Sequence, residues 1–221
     1  MPNVPDIHAT TLVIRGGFSP VLFQPAWLAS KGLISDGEAT AAKIEMIHPK
    51  AAVFSTEWLD LRVTEDRFQA TTQLAPYFEL LRDLVAGVFR ILPQLPFQAL
   101  GINHTFHFKL ESKEAWHRVG HRLAPKEHWG VLEKPGMRSI AVEGMHDDEY
   151  PGFVRVRVEP SAQIAHGLFI DVNDHFQIAT DMKDVHTDTR ELLALIAERW
   201  DRAAARSQEI ADSLIALGKL E

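Results

Sequence analysis

The chain contains no cysteine. That removes disulfide frameworks, thiolate nucleophiles and cysteine-ligated zinc or iron–sulfur centres. Long apolar runs are also missing: nothing approaches the roughly 20 residues that a membrane-spanning helix needs, so no membrane partner is expected. Met1 to His8 has neither a basic stretch nor an apolar stretch of the secretory kind, and the expected compartment is the cytoplasm. There is no excess of basic charge. A net charge of −7 and a pI near 5.9 argue against a whole-surface field that would draw in DNA or anionic lipid. Absent too are a P-loop, a dinucleotide-binding fingerprint and a nucleophile elbow. What is present is a chain of 221 residues, 46 % apolar, long enough to bury one substantial core.

Within it, one stretch resembles another. Pro49 to Leu61 and Pro160 to Val172 match at an offset of 111 residues, through Pro49/Pro160, Ala51/Ala162, Val53/Ile164, Trp58/Phe169, Leu59/Ile170, Asp60/Asp171 and Leu61/Val172. Asp66 to Gln69 is echoed by Asp174 to Gln177 at an offset of 108, and Ala26-Trp27 by Ala115-Trp116. Internal self-similarity points to a duplicated domain, with one half at 1–96 and the other at 97–221.

The periodicity fills in the halves. Thr11 to Arg15 reads as a strand closed by Gly16-Gly17 and Pro25 to Leu33 as a short helix; Lys43 to Ile47, Trp58 to Val63 and Arg67 to Thr72 alternate as half-buried strands. Tyr77, Leu81, Leu84, Val85, Val88 and Leu92 recur at helical spacing until Pro93. In the second half Ala99 to Leu110 is a strand, Lys113 to Leu123 a helix capped by Ser112, and Pro125 to Leu132 a further helical turn. Strands follow at Ser139 to Glu143, Val154 to Val158, Leu168 to Val172 and Phe176 to Thr180, with a hairpin turn at Asn173-Asp174. The Asp147-Asp148-Glu149 run reads as a solvated loop. A long helix over 187–217 closes the chain. Its stripe of Leu193, Ile196, Trp200, Ala203, Ser207, Ile210, Leu214 and Leu217 steps by three and four, and the part beyond Ala203 is expected in a homodimer interface. The fold class is α+β: two pseudo-symmetric strand–helix–strands–helix halves forming a curved antiparallel sheet, with long helices on one face.

That element order resembles the duplicated layout of the TATA-binding-protein fold. With Leu100-Gly101-Ile102-Asn103 opening the second half, it is also similar to a sporadically distributed bacterial family, which brings a fold and a bacterial source but neither activity nor site residues.

Candidate chemistry concentrates between Lys109 and Arg138, where seven Lys or Arg face four Glu in an otherwise acidic protein. Arg118, Arg122, Lys126, His117 and His121 form a cationic face, with Trp116 and Trp129 interleaved for stacking; this suits a phosphate, a nucleotide or a single strand. The alternative for the same residues is a solvated helix anchored by its tryptophans. Glu114, His117 and His121 also share one helical face and could hold zinc, with a further side chain from His104, His107 or His128. Arg118 stands where a zincin would have its Glu, and His104 and His107 point to opposite faces of a strand. The acids Asp60, Asp66, Asp171 and Asp174, with His175, fall at expected turns. The reading is a binding or regulatory module for an anionic ligand, without a cofactor. The competing readings are a zinc-dependent hydrolase and a structural subunit docking through its last helix.

Overall fold

A computed structural model describes residues 3–146, 150–178 and 189–219. Its strands are β1 Ile7–Gly16, β2 Lys43–His48, β3 Ala51–Ser55, β4 Asp60–Thr64, β5 Arg67–Thr72, β6 Phe97–Lys109, β7 Ile140–Met145, β8 Gly152–Pro160 and β9 Gly167–Gln177. Its α-helices are α1 Pro25–Ser30, α2 Asp36–Ala41, α3 Phe78–Ile91, α4 Lys113–Leu123 and α5 Thr189–Ala216. The strands form one nine-stranded sheet in the order β2-β3-β4-β5-β1-β6-β9-β8-β7, and every neighbouring pair is antiparallel. The chain is thus an α+β protein built on an open antiparallel sheet.

β1 and β6 lie together at the centre, flanked by β5 and β9, then β4 and β8, then β3 and β7, with β2 added at one edge. The sequence match at offset 111 does not follow this arrangement. It sets Leu61 of β4, which pairs with β3 and β5, against Val172 of β9, which pairs with the central β6.

Period-two alternation decides which side of each strand is buried. Leu12 and Ile14, Phe68 and Ala70, Leu61 and Val63, Ile102 and Phe106, and Ile170 and Val172 face the helices and are almost fully buried. The helices complete this layer with their apolar stripes. In α3 the stripe is Leu81, Leu84, Val85, Val88 and Phe89, and Phe89 meets Phe68 edge-to-face at 5.6 Å. The opposite face is polar. One row crosses all nine strands in register: Lys43, Ser55, Asp60, Thr71, Thr11, Asn103, Asn173, Arg155 and Glu143.

Strand β3, Ala51–Ser55, is not among the expected strands, and three further sequence expectations change. Helix α2 was not foreseen, although Ser35-x-x-Glu38 carries its signature: the Ser35 hydroxyl accepts from the Glu38 amide at 3.1 Å while the Ser35 amide donates to Glu38 at 2.8 Å, a capping box. Asn173-Asp174 is not a turn. β9 runs unbroken through both, because β6 on one side and β8 on the other supply continuous ladders that outweigh local turn preference. The distal half of α5 lies on the protein's own sheet: Ala203, Ser207, Ala211 and Ile215 are buried, with Ala211 and Ile215 in one cluster with Phe106, Phe108, Ala115 and Val119. The buried stripe there advances by four residues each turn, so Ile210, Leu214 and Leu217 flank it rather than form its centre. The expected loop at Asp147 to Glu149, the end of the expected strand at Ala179 and Thr180, and the helix start at 187–188 lie outside the described residues.

Candidate functional site

Helix α4 opens where Ser112 accepts a hydrogen bond from the Ala115 amide at 3.1 Å, an N-cap that satisfies one of the helix's orphan donors. Ala115 and Val119 are its buried contacts with the sheet, so the positions beside them must face outward at helical spacing. Trp116, His117, Gly120 and His121 therefore line a cavity of about 380 Å³, closed by Lys126, Lys134, Pro135, Gly136, Met137, Pro160 and Leu168. The Trp116 indole N–H donates to the Gly167 carbonyl at 3.0 Å and its ring meets His117 at 5.0 Å. The indole is thereby fixed as a wall. His121 lies 3.3 Å from Glu127.

Four of the six expected ligand-binding residues, Trp116, His117, His121 and Lys126, thus converge, joined by Lys134. The other two do not. Arg118 donates through Nε and Nη2 to the Gly218 carbonyl at 2.9 and 2.6 Å, and Arg122 through Nη1 to the Leu217 carbonyl at 3.2 Å. Cations at the end of α5 satisfy orphan carbonyls and complement the helix dipole, so these guanidinium groups dock one helix on another. No local sequence signal marks that role, because the partners lie about a hundred residues away.

The zinc arrangement does not assemble: no group of three or more His, Asp or Glu among the described residues is close enough to hold a metal ion. Glu114 is exposed at the helix start, and His128 sits in the exposed 3₁₀ turn Lys126–Trp129. His104 and His107 do face opposite sides of β6. His107 Nδ1 lies 2.8 Å from the Ser161 hydroxyl, and burial lowers its pKa. His104 is buried under α5, its Nδ1 3.1 Å from His8 Nε2 and 3.2 Å from the Thr10 hydroxyl. Burial pushes His8 down to about 4, and burial followed by His8 pushes His104 down to about 3. Both rings are neutral near pH 7.

A second cluster forms around Asp174, which local turn preference alone sets in a turn. Within β9 it points to the helix face and is fully buried. Arg206 of α5 donates to its Oδ2 at 2.7 Å, and His146, just past β7, approaches its Oδ1 at 3.0 Å. His146 packs on Phe176 at 4.5 Å. One legible signal existed: Val172, Asp174 and Phe176 share the even phase of an otherwise apolar alternation. Asp171 and His175 have the other phase and face the open side, where Arg157 reaches Asp171 at 3.2 Å and the His175 ring stacks on Phe153 at 4.5 Å. Asp66 does occupy a turn, accepting from the Thr64 hydroxyl at 2.8 Å.

No family model matches the chain, and no curated protein matches its sequence. No helix among the described residues is long and apolar enough to cross a membrane.

Proposed function

We propose that the protein is a binding module that takes a small anionic ligand in the cavity beside α4. The observation that carries this reading is the convergence of Trp116, His117, His121 and Lys126 with Lys134 on one pocket, where a cation at the rim and a fixed aromatic wall supply the charge and the shape that an anion with a flat or apolar body requires. A volume of about 380 Å³ suits a single nucleotide or smaller molecule and not a duplex. The hydrolase reading lacks a metal-holding group among the described residues.

The test is titration of the intact protein, followed by tryptophan fluorescence and calorimetry, with inorganic phosphate, a mononucleotide and an aliphatic carboxylate. Binding by any of them that weakens with salt and is lost in Lys126→Glu supports the site. If Lys126→Glu binds as the parent does, the anion does not sit at this rim.

A further inference from the structure

Two features of the cavity are unexplained by simple anion capture. The first is that it has a neighbour. A second space of about 260 Å³, lined by Ala124, Trp129, Leu132, Arg138 and Ser139, shares Lys126, Pro135, Gly136 and Met137 with the first. The two chambers lie against shared residues that are mostly apolar, with Lys126 common to both. Trp129 and Leu132, which line the outer chamber, are each about half exposed, so that chamber has apolar side chains at its mouth.

The second feature is that the space is kept open at a cost. Gly120 lies within α4, where glycine is about 1 kcal/mol less favourable than alanine, yet a Cβ there would meet no atom within 4 Å, and the same is true at Gly136. No packing requires either glycine, and both line the first space. Lys134 has φ +52° directly before Pro135, a position that disfavours compact backbone. His166 has φ +55° and its ring stands 6.2 Å from Trp116. These are the described non-glycine residues with left-handed backbone; Lys134 lines the cavity and His166 stands behind its Trp116 wall, and strained backbone tends to mark a binding site.

We infer that the ligand is an elongated amphiphile, an unbranched aliphatic carboxylate whose head pairs with Lys126 and whose chain runs between the two chambers past Gly136 and Met137. The inference rests on the anion-binding reading and narrows it. A nucleotide would leave the apolar outer chamber empty, whereas an acyl chain fills both spaces and removes apolar surface from water along its whole length.

The experiment is a calorimetric series of butyrate, octanoate and dodecanoate beside adenosine monophosphate and inorganic phosphate, on the parent and on Gly120→Leu and Gly136→Leu. The expected result is an affinity that rises about fourfold per added methylene until the chambers are filled. Gly136→Leu should keep the short carboxylate and lose the gain with length. Gly120→Leu should weaken every carboxylate, while its thermal midpoint stays at or above that of the parent. Binding of the mononucleotide or phosphate with no dependence on chain length overturns the amphiphile and leaves the anion reading in place. Binding by none of the five overturns both. A length dependence that survives in both leucine variants places the chain elsewhere and overturns the inference as well.

Discussion

Gly87 in α3 and Gly120 in α4 sit in the middle of helices that cover the two ends of the same sheet, and they are glycine for opposite reasons. A Cβ at Gly87 would lie 2.5 Å from Leu33 Cδ2, whereas one at Gly120 would meet nothing within 4 Å. Around Gly87 the first-half end is tightly packed. Phe18, Phe23, Phe68 and Phe89 interlock there at centroid distances of 5.5 to 6.3 Å, and α3 approaches the segment after α1 closely enough that Leu33 occupies the place of a side chain. The second-half end has a smaller buried cluster and two chambers where that cluster stops. The comparison teaches that glycine in a helix is informative only with its surroundings: one permits contact, the other preserves a void.

The largest expected effect breaks the weaker end outright. Removing everything after Ala203 takes away Ser207, Ala211 and Ile215, which lie over the second cluster. The truncated chain should lose cooperative thermal unfolding and elute as an expanded or aggregated species. A folded, compact product would show that the distal helix is dispensable.

Next is Asp174→Ala, which leaves Arg206 and His146 beside a missing carboxylate. Breaking one partner of a buried charged pair costs about 3–5 kcal/mol, to be read from urea unfolding. Asp171→Ala, the neighbouring acid on the open face, should cost less than about 1 kcal/mol. Equal losses would contradict the placement of the two acids on opposite faces.

Acid should act at the sheet centre, between the two ends. For His8 and His104 the folded pKa lies below the unfolded value of 6.5, at about 4 and about 3, so the unfolded chain binds more protons in that window. Their contribution is complete above pH 6.5 and is lost as pH falls, by about 3 kcal/mol from His104 near pH 4. A His104→Gln variant should flatten this dependence in urea midpoints measured across the window. An unchanged slope would place the acid sensitivity in other groups.

Smaller still is the direct comparison of the glycines. Gly87→Leu should destabilise by about 1–3 kcal/mol through overpacking against Leu33. Gly120→Ala should stabilise by about 1 kcal/mol through helix propensity alone. Thermal midpoints of the same sign for the two would erase the distinction between the filled end and the hollow one.

Much of the fold was legible along the chain. The spacing of Leu81, Leu84, Val85 and Val88 and the stop at Pro93 gave α3 nearly to its ends, and the Ser112 cap marked the start of α4. Arg67 to Thr72 is β5 to the residue. The cavity was half legible: Trp116, His117, His121 and Lys126 are close in sequence on one helix and its following turn, so their convergence needed little beyond helical geometry. Lys134 was counted as charge, but its arrival at the same rim depends on how the loop through Pro135 folds back.

Local periodicity and capping chemistry act over three or four residues, and to that range the amino-acid order alone determined the protein: an α+β chain of alternating strands and amphipathic helices, without cysteine chemistry. Tertiary structure decided what no short window contains. It made Asn173-Asp174 part of a strand, because ladders from two neighbours outweigh a turn preference. It turned Arg118 and Arg122 from candidate ligands into caps for α5, because the orphan carbonyls that need them lie about a hundred residues further on. It laid the distal α5 stripe on the protein's own sheet, because Phe106 and Phe108 had apolar surface to cover. An amphipathic stripe specifies that a partner exists; which surface fills that role is settled only when the whole chain is folded.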